Sequence, residues 1–505
     1  MSNIKGKRLA KIISCKELSK LDEDFLENLS KEDLLLTSKC LLATAKTLSD
    51  KINKNSQNSS MPPSSDMPWS KTKKPKSDID TEESHKINAE ELAPKTRKKR
   101  DKGYGRSQKL PITKVIKLYP EVCDHCGSLL REQNAKAYTA YYQIDLERVN
   151  GIGGYKSINT KYILYSNECI DCHKITEYKP KRYKTCIDTI KLSNWRLLGP
   201  TLLSVIVYLN KDQGLSIRKI KRLLRELYGL YLSNGILIQG IHEAGLSGKP
   251  IEKQLKEELL SSDLLHSDET SWLEGTKGYW LWVHITASTC LFLLGGRTKQ
   301  MAQEIINDKF NGWLMSDGYK VYRDHQKRLR CWAHLKRKAK GLEESNWIQA
   351  HFFGKEILAL LKNLMISIYD ARARGDPQSI KEQHQKELEE FMTKCNVYKE
   401  CEHEDTKKLA KEFLNDWTAI FMVLEHPYLP LTNNEAERAL RHWVIIRRLS
   451  QGTRTPIGSI ALTSLASIIE TCKLRGKKIL EFLTDLIRFA RIGQELSIAS
   501  GTNNG

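Results

Sequence analysis

Acidic residues are in short supply: 61 Asp plus Glu stand against 82 Lys plus Arg, leaving a formal net charge of +21 over 505 residues. That imbalance exceeds what solubility requires and points to a polyanionic partner. Long apolar runs are missing as well. Hydrophobic residues make up only 40%, and no uninterrupted apolar stretch approaches the roughly 20 residues of a membrane helix, so no membrane span is expected. The opening residues, MSNIKGKRLAKIISCKEL, carry positive charge without an apolar core or a small-residue cleavage site. They do not read as a secretory signal, and the expected location is cytoplasmic. In that reducing setting the twelve cysteines should stay as thiols, and those paired at short spacing are better read as metal ligands than as disulfide partners. No internal repeat is visible. At roughly 150 residues per domain, the length allows three or four domains.

Residues 1–52 are helix-permissive, with Leu34, Leu41 and Leu48 seven apart. This reads either as a short coiled coil or as a plain amphipathic helix. From 53 to 118 the composition shifts to Ser, Asn, Pro and Lys, as expected of a disordered basic linker. Its stretch from Lys95 to Lys109 holds eight basic residues and one acid. Arg97, Lys98, Lys99 and Arg100 at its centre would track a phosphate backbone without reading sequence. Residues 119–188 are strand-like and contain Cys123-Asp-His-Cys126 and Cys169-Ile-Asp-Cys172, separated by 42 residues. Two such knuckles predict a zinc ribbon, each pair supplying two thiolates to one tetrahedral Zn²⁺. His125 and His173 lie beside these ligands and are alternative donors.

Residues 189–258 are helical. Ser216 is a good N-cap, Ile217, Ile220, Leu224 and Leu227 recur at helical spacing, Gly229 ends the helix, and Ser233 opens the next. That is the spacing of a helix-turn-helix whose first helix carries Arg218, Lys219, Lys221, Arg222 and Arg225 on a basic side. From Leu264 the texture becomes mixed α/β. LLHSDET, YWLWVHIT and TCLFLLGG read as strands. A helix over Thr298 to Asp308, a fourth strand over Gly312 to Met315 and a fifth over Leu329 to Trp332 follow, and then the basic segment with Lys336, Arg337 and Lys338. Residues 341–427 form a helical insertion. Within 428–450, the Pro-punctuated HPYLPLTNN leads into a helix from about Asn434 to Arg448, and residues 451–505 are again helical.

Three acids stand out: Asp268 at the end of the first strand, Asp317 just after the fourth, and a glutamate on the late helix in NNEAERALR. Carboxylates delivered from strand ends and one helix can hold two Mg²⁺ ions for phosphodiester chemistry. The third acid is either Glu435 or Glu437. The helical wheel buries Ala436, Ala439, Leu440, Trp443 and Val444 and sets the two glutamates on opposite edges of that stripe. Glu437 shares its side with Arg441 and Arg448, and Arg438 adds to the basic surface, so the wheel leans to Glu437.

HSDET, SDGYKVY, CWAHLKRKAK and NNEAERALR, followed by GTRTPIGS and preceded by the two knuckles, GYGRSQ and NSQNSSMPPSSD, together resemble the insertion-sequence-66 family of transposases. The resemblance runs over nearly the whole chain. It implies an α/β ribonuclease-H-like catalytic domain with a helical insertion, preceded by the zinc ribbon and the helix-turn-helix region. It also implies an Asp-Asp-Glu triad of Asp268, Asp317 and Glu437 binding Mg²⁺ or Mn²⁺, and DNA partners in the form of terminal inverted repeats and target DNA. A homo-oligomeric synaptic complex belongs to the same expectation, which leaves open whether small accessory proteins are needed. Cys331, Trp332 and His334 match a family motif whose role is structural or close to the active site. The alternatives are a catalytically inactive DNA-binding protein derived from a transposase, and a ribonuclease-H-like repair nuclease.

Overall fold

The computed structural model describes residues 30–52, 111–149, 154–187, 190–375 and 378–498. Arg97, Lys98, Lys99 and Arg100 lie outside the described residues, as does the linker up to 110. The chain forms two compact units, the first from residues up to 78 with 313–434, the second from 79–312 with 435 onward.

Along the chain, helix α1 (Lys31–Ile52) belongs to the first unit. Ser30 caps it by accepting from the Asp33 amide at 3.1 Å. The seven-residue stripe is not its packed face: Leu34 and Leu48 are exposed, and the buried position is Thr44. Within that unit its last turn is held by Asp50, which accepts from the Asn346 amide at 3.2 Å and from the Ser345 hydroxyl.

The second unit begins with strands β1 (Lys114–Leu118), β2 (Lys136–Arg148), β3 (Tyr155–Glu168) and β4 (Ile175–Glu177). β2 and β3 form a long antiparallel pair, β1 runs parallel on the other edge of β3, and β4 pairs with the end of β3. The segment expected to be linker is thus already sheet by Lys114. β5 (Tyr183–Lys184) and β6 (Lys191–Leu192) make a small ladder. Helix α2 (Pro200–Val207) is then seated on β2, where Asp145 accepts from the Leu202 amide at 2.8 Å. A π-helical turn over Tyr208–Asp212 leads to α3 (Ile217–Tyr228) and α4 (Asn234–Ser247).

Ser216 and Ser233 cap these two helices as the sequence predicts, and Gly229 takes the left-handed conformation, φ 63°, that ends α3. Leu227, expected on the apolar stripe, is exposed. After α5 (Lys249–Leu260) come β7 (Leu264–Glu274), β8 (Lys277–Ile285) and β9 (Cys290–Gly295), an antiparallel meander with aromatic and β-branched residues on its covered face. The helix expected over Thr298 to Asp308 is only one turn and a half, α6 (Lys299–Gln303).

In the first unit β10 (Trp313–Ser316) runs parallel to β11 (Arg328–Arg330). Trp332, expected to end the fifth strand, instead begins α7 (Trp332–Glu343). Helices α8 (Ile348–Ala373), α9 (Gln385–Tyr398), α10 (Glu404–Asn415) and α11 (Trp417–Glu425) complete the expected insertion. Its core is mainly aliphatic, with Phe353, Phe391, Phe413 and Phe421 buried among leucines and isoleucines.

The chain returns to the second unit with α12 (Asn434–Ser450), α13 (Pro456–Leu474) and α14 (Ile479–Arg491). By length and composition α13 could cross a membrane, yet 67% of its apolar window is buried inside the protein. Gly245 of α4 explains part of that burial, because a Cβ there would collide with the backbone of Ala461.

The first unit contains a buried charge cluster that no sequence pattern announces. Arg330 is fully buried on β11 and reaches Asp416 and Glu412, Arg328 donates to Asp416 at 2.7 Å, and Arg323 lies 3.3 Å from the same carboxylate. Lys338 completes it by donating to both oxygens of Glu412, at 2.8 and 2.7 Å. Burial opposes ionisation of Glu412, but the Lys338 and Arg330 charges outweigh it and hold its pKa below the ordinary value. Burial likewise opposes ionisation of Asp416, and the hydrogen bond from Arg328 with the surrounding guanidinium charges prevails there too.

Asp416→Asn removes the carboxylate that two buried guanidiniums share and should cost about 3–5 kcal/mol, read as a lower urea midpoint of the intact chain. Because both carboxylates are depressed in the folded state, their contribution is complete above the unfolded value, about pH 4. It should be lost as the pH falls through the folded values. The loss of stability on acidification below about pH 4 should therefore be smaller in the Asp416→Asn variant than in wild type.

Candidate functional site

The two CxxC pairs, 42 residues apart in sequence, come together in the second unit. Cys123 Sγ lies 3.6 Å from Cys172 Sγ and Cys126 Sγ lies 3.4 Å from Cys169 Sγ. All four sulfurs fall within 4.8 Å of one another. Ligands at the Zn–S length in a tetrahedron stand about 3.8 Å apart, so the set fits a single Zn²⁺ and could hold one.

The knuckles are built alike. The Gly127 amide donates to the Cys123 carbonyl at 3.0 Å and the His173 amide to the Cys169 carbonyl at 2.9 Å. Both residues have positive φ, 80° and 55°. His173 therefore occupies the turn position that glycine fills in the first knuckle, and its exposed ring sits beside Glu168, 3.9 Å away. Backbone amides of Cys126 and His125 pull the Cys123 thiol down to about 6. The Lys174 amide favours the Cys172 thiolate, but burial and the three neighbouring sulfurs outweigh it and push that thiol up to about 12. Four crowded thiols cannot all ionise without a cation among them.

Asp268 lies in the interior of β7, not at its end, because the strand continues to Glu274. It pairs opposite Val283, flanked by the pairs His266 with Ile285 and Thr270 with Leu281. Directly opposed residues project from the same face. Ile285, Val283 and Leu281 all belong to the core that Ala436, Ala439, Leu440 and Trp443 of α12 close. Asp268 is thus on the sheet face that α12 covers. Arg447 of α12 donates to Thr270 Oγ1 at 2.9 Å, and beyond the helix the Thr453 amide donates to the Leu273 carbonyl at 2.8 Å. Helix and strand therefore run in the same sense, and the first turn of α12 lies on the Asp268 side of Thr270.

In that first turn Glu437 is half-buried, whereas Glu435 is exposed and 3.2 Å from Arg438. Val444, placed on the buried stripe by the wheel, is only half-buried. Asp317 belongs to the other unit. It directly follows β10 and accepts from the Tyr319 amide at 2.8 Å, which fixes the turn. Gly318 beside it leaves no room for a Cβ against Arg330 and Glu412. The Cys331 sulfur accepts from the Asn433 amide at 3.3 Å, and Trp332 donates its indole N–H to the Ile420 carbonyl at 2.8 Å. These two side chains fasten the ends of the helical insertion.

The basic residues fare differently from one another. Lys338 is tied to Glu412, and Arg438 is paired with Glu435. Arg441 is exposed. Lys336 approaches the Met365 sulfur at 3.8 Å, and Arg337 Nε donates to the Ala333 carbonyl at 3.3 Å.

A family model described as Transposase IS66 family matches residues 196–460, just over half of the chain. The chain belongs to that family. Its matched region runs from the helices after β6 through the meander, the insertion and α12 into α13. A second model, a family of unknown function (DUF6444), matches residues 16–102. The uncharacterized protein y4jO of Sinorhizobium fredii is 32% identical over 83 residues, which is 16% of this chain and 26% of that protein. The chain thus spans about a quarter of the length of the curated relative it matches.

The intact chain should carry one zinc per molecule by metal analysis, and Cys126→Ser should lose it. His173→Gly, which relieves the left-handed residue without touching a ligand, should retain it. Loss of zinc in His173→Gly would identify His173 as a donor.

Proposed function

We propose that this family member is a DNA transposase that cleaves at the ends of its element and joins the freed 3′-OH ends to target DNA, using Asp268, Asp317 and Glu437. The observation that carries the reading is the packing of α12 over the Asp268 face of β7, with Glu437 in the helix turn on the Asp268 side. The three carboxylates are hard oxygen donors suited to Mg²⁺ or Mn²⁺. Divalent ions held there would supply Lewis-acid activation of the attacking oxygen and charge stabilisation of the leaving one. Asp268 is fixed by a β-strand and Asp317 by a hydrogen-bonded turn, so both carboxylates are held by rigid backbone. Glu437 rides on a helix whose far end is fastened to β7, so its reach is set by packing. A ribonuclease-H-like arrangement is the fold this reading requires.

The cysteine cluster acts as a zinc ribbon. With α3 and α4 as a helix-turn-helix, it would recognise the terminal repeats. The basic linker, including Arg97, Lys98, Lys99 and Arg100, contributes phosphate contacts, joined by Lys336, Arg337, Arg438 and Arg441. Lys338 serves its own ion cluster first. Oligomerisation brings two ends together, and small accessory proteins would join that assembly.

Cleavage of a labelled inverted repeat in Mg²⁺ tests the triad. Glu437→Gln, Asp268→Asn and Asp317→Asn should bind ends normally and lose cleavage by a factor of at least about 10². Glu435→Gln should stay active. An inactive wild type that binds ends tightly would favour the non-catalytic derivative instead.

For the linker, replacing Arg97, Lys98, Lys99 and Arg100 by Gln should weaken binding to every duplex alike and flatten its salt dependence. A loss confined to the inverted repeat would contradict that assignment.

A further inference from the structure

Beside α4 the second unit has a cavity of about 370 Å³, lined among others by Trp195, Arg196, Ile236, Gln239, His242 and Glu243. That volume is within the range of small-molecule sites. Glu243 is buried and its Oε1 accepts from Arg491 Nε at 2.8 Å, while Oε2 stands 3.7 Å from Arg196 Nε, beyond hydrogen-bond distance. Arg196 spends one terminal nitrogen on the Lys191 carbonyl at 2.5 Å, and its buried Nε has no hydrogen-bond partner. Both residues line the cavity, so a guanidinium and a carboxylate border the same space.

The charges restrict what can enter. Arg491 neutralises Glu243 from within the core, and the wall presents the Glu243 Oε2 beside the Arg196 guanidinium, so acceptor and donor stand together. Burial and the nearby Lys211 charge lower the His242 pKa, so that ring adds no charge near neutral pH. A neutral, planar group with a donor and an acceptor side by side satisfies both walls. Trp195 supplies the aromatic surface such a group needs, and it is itself fixed by Tyr162, Tyr141 and Tyr178 at centroid distances of 5.0, 5.9 and 6.1 Å.

The cavity also lies where DNA would arrive. The first turns of α4 are exposed at Asn234, Gly235, Ile238 and Gln239. The second helix of a helix-turn-helix presents its N-terminal residues to base edges. Ile236 and Gln239 belong both to those turns and to the cavity wall.

We propose that this cavity receives a single unstacked nucleobase from DNA lying on α4, with Trp195 as the stacking surface and Arg196 and Glu243 reading the base edge. This rests on the DNA-binding reading above. Unpaired bases are held by aromatic stacking and by hydrogen bonds to their edges, and only a distorted or partly opened duplex can present one.

The test uses the intact chain and fluorescent duplexes of one sequence that are fully paired, carry one unpaired nucleotide with each of the four bases in turn, or carry an abasic residue in the bulge. Wild type should bind at least one bulged base about tenfold more tightly than the abasic bulge. Trp195→Leu should abolish that preference while keeping its affinity for the paired duplex. Ile236→Trp, which fills the cavity from a half-exposed position and removes no polar group, should likewise abolish the preference among bulged bases. Equal binding of all bulged and abasic duplexes by wild type overturns the proposal, as does an unchanged preference in Ile236→Trp. If the paired duplex still binds in those cases, the DNA reading survives alone. Absence of binding to any duplex would remove both.

Discussion

Arg330 is a cation with no exposed side-chain surface, and the first unit is arranged around keeping it neutralised. Strand β11 supplies it, α10 supplies Glu412, and the turn after α10 supplies Asp416. A buried guanidinium without partners would be prohibitively costly, so β11 and the end of α10 are obliged to meet. Two further guanidiniums and Lys338 then follow the carboxylates rather than the reverse. The cluster also closes on Gly318, immediately after Asp317. The turn that presents this acid is thereby pinned by side chains that take no part in the proposed chemistry.

The second unit solves the equivalent problem with apolar packing. Ala436 and Ala439 are small, so α12 can lie close on the meander, and Trp443 fills the wider part against Phe292 at a centroid distance of 5.8 Å. Arg447 then fastens the far end to Thr270. A helix rises about 1.5 Å per residue, so the roughly ten residues between Arg447 and Glu437 set the glutamate about 15 Å back along the axis from that fastening. Changes at Trp443 or Arg447 would consequently move Glu437 without altering it.

The strands β7 to β9 and the helices α12 to α14 are legible in the sequence because they carry their own signals: aromatic and β-branched runs in β7 to β9, and a Pro-punctuated loop before α12. Ser caps and Gly229 do the same for α3 and α4, and the cysteine cluster is legible from spacing alone. What escapes reading depends on partners distant in sequence. SDET has the polarity of a strand end, yet β8 continues pairing to Glu274 and keeps the strand going past Asp268. Leu34, Leu41 and Leu48 make a regular stripe, but contacts around Thr44 and Asp50 decide which side of α1 packs. The Arg330 cluster and the Arg196 and Glu243 pair give no local signal, since a buried charge looks like a surface charge until its partner is known. The preference for Glu437 over Glu435 rests on the apolar stripe read from the sequence.

The helical insertion shows why so large an excursion is tolerated. Its entrance and exit are fastened to each other: the Trp332 amide donates to the Leu431 carbonyl at 2.8 Å, and the Asn433 amide to the Cys331 sulfur at 3.3 Å. Between these points the intervening helices form their own apolar core. Once the ends are held together, the entropic cost of further loop length grows only slowly. Residues inside the insertion other than Glu412 and Asp416, which hold Arg328 and Arg330, can vary without pulling on β11. Cys331 and Trp332 therefore have a sufficient structural reason to stand where they do, as the fastening of the insertion, whatever else the neighbouring His334 contributes.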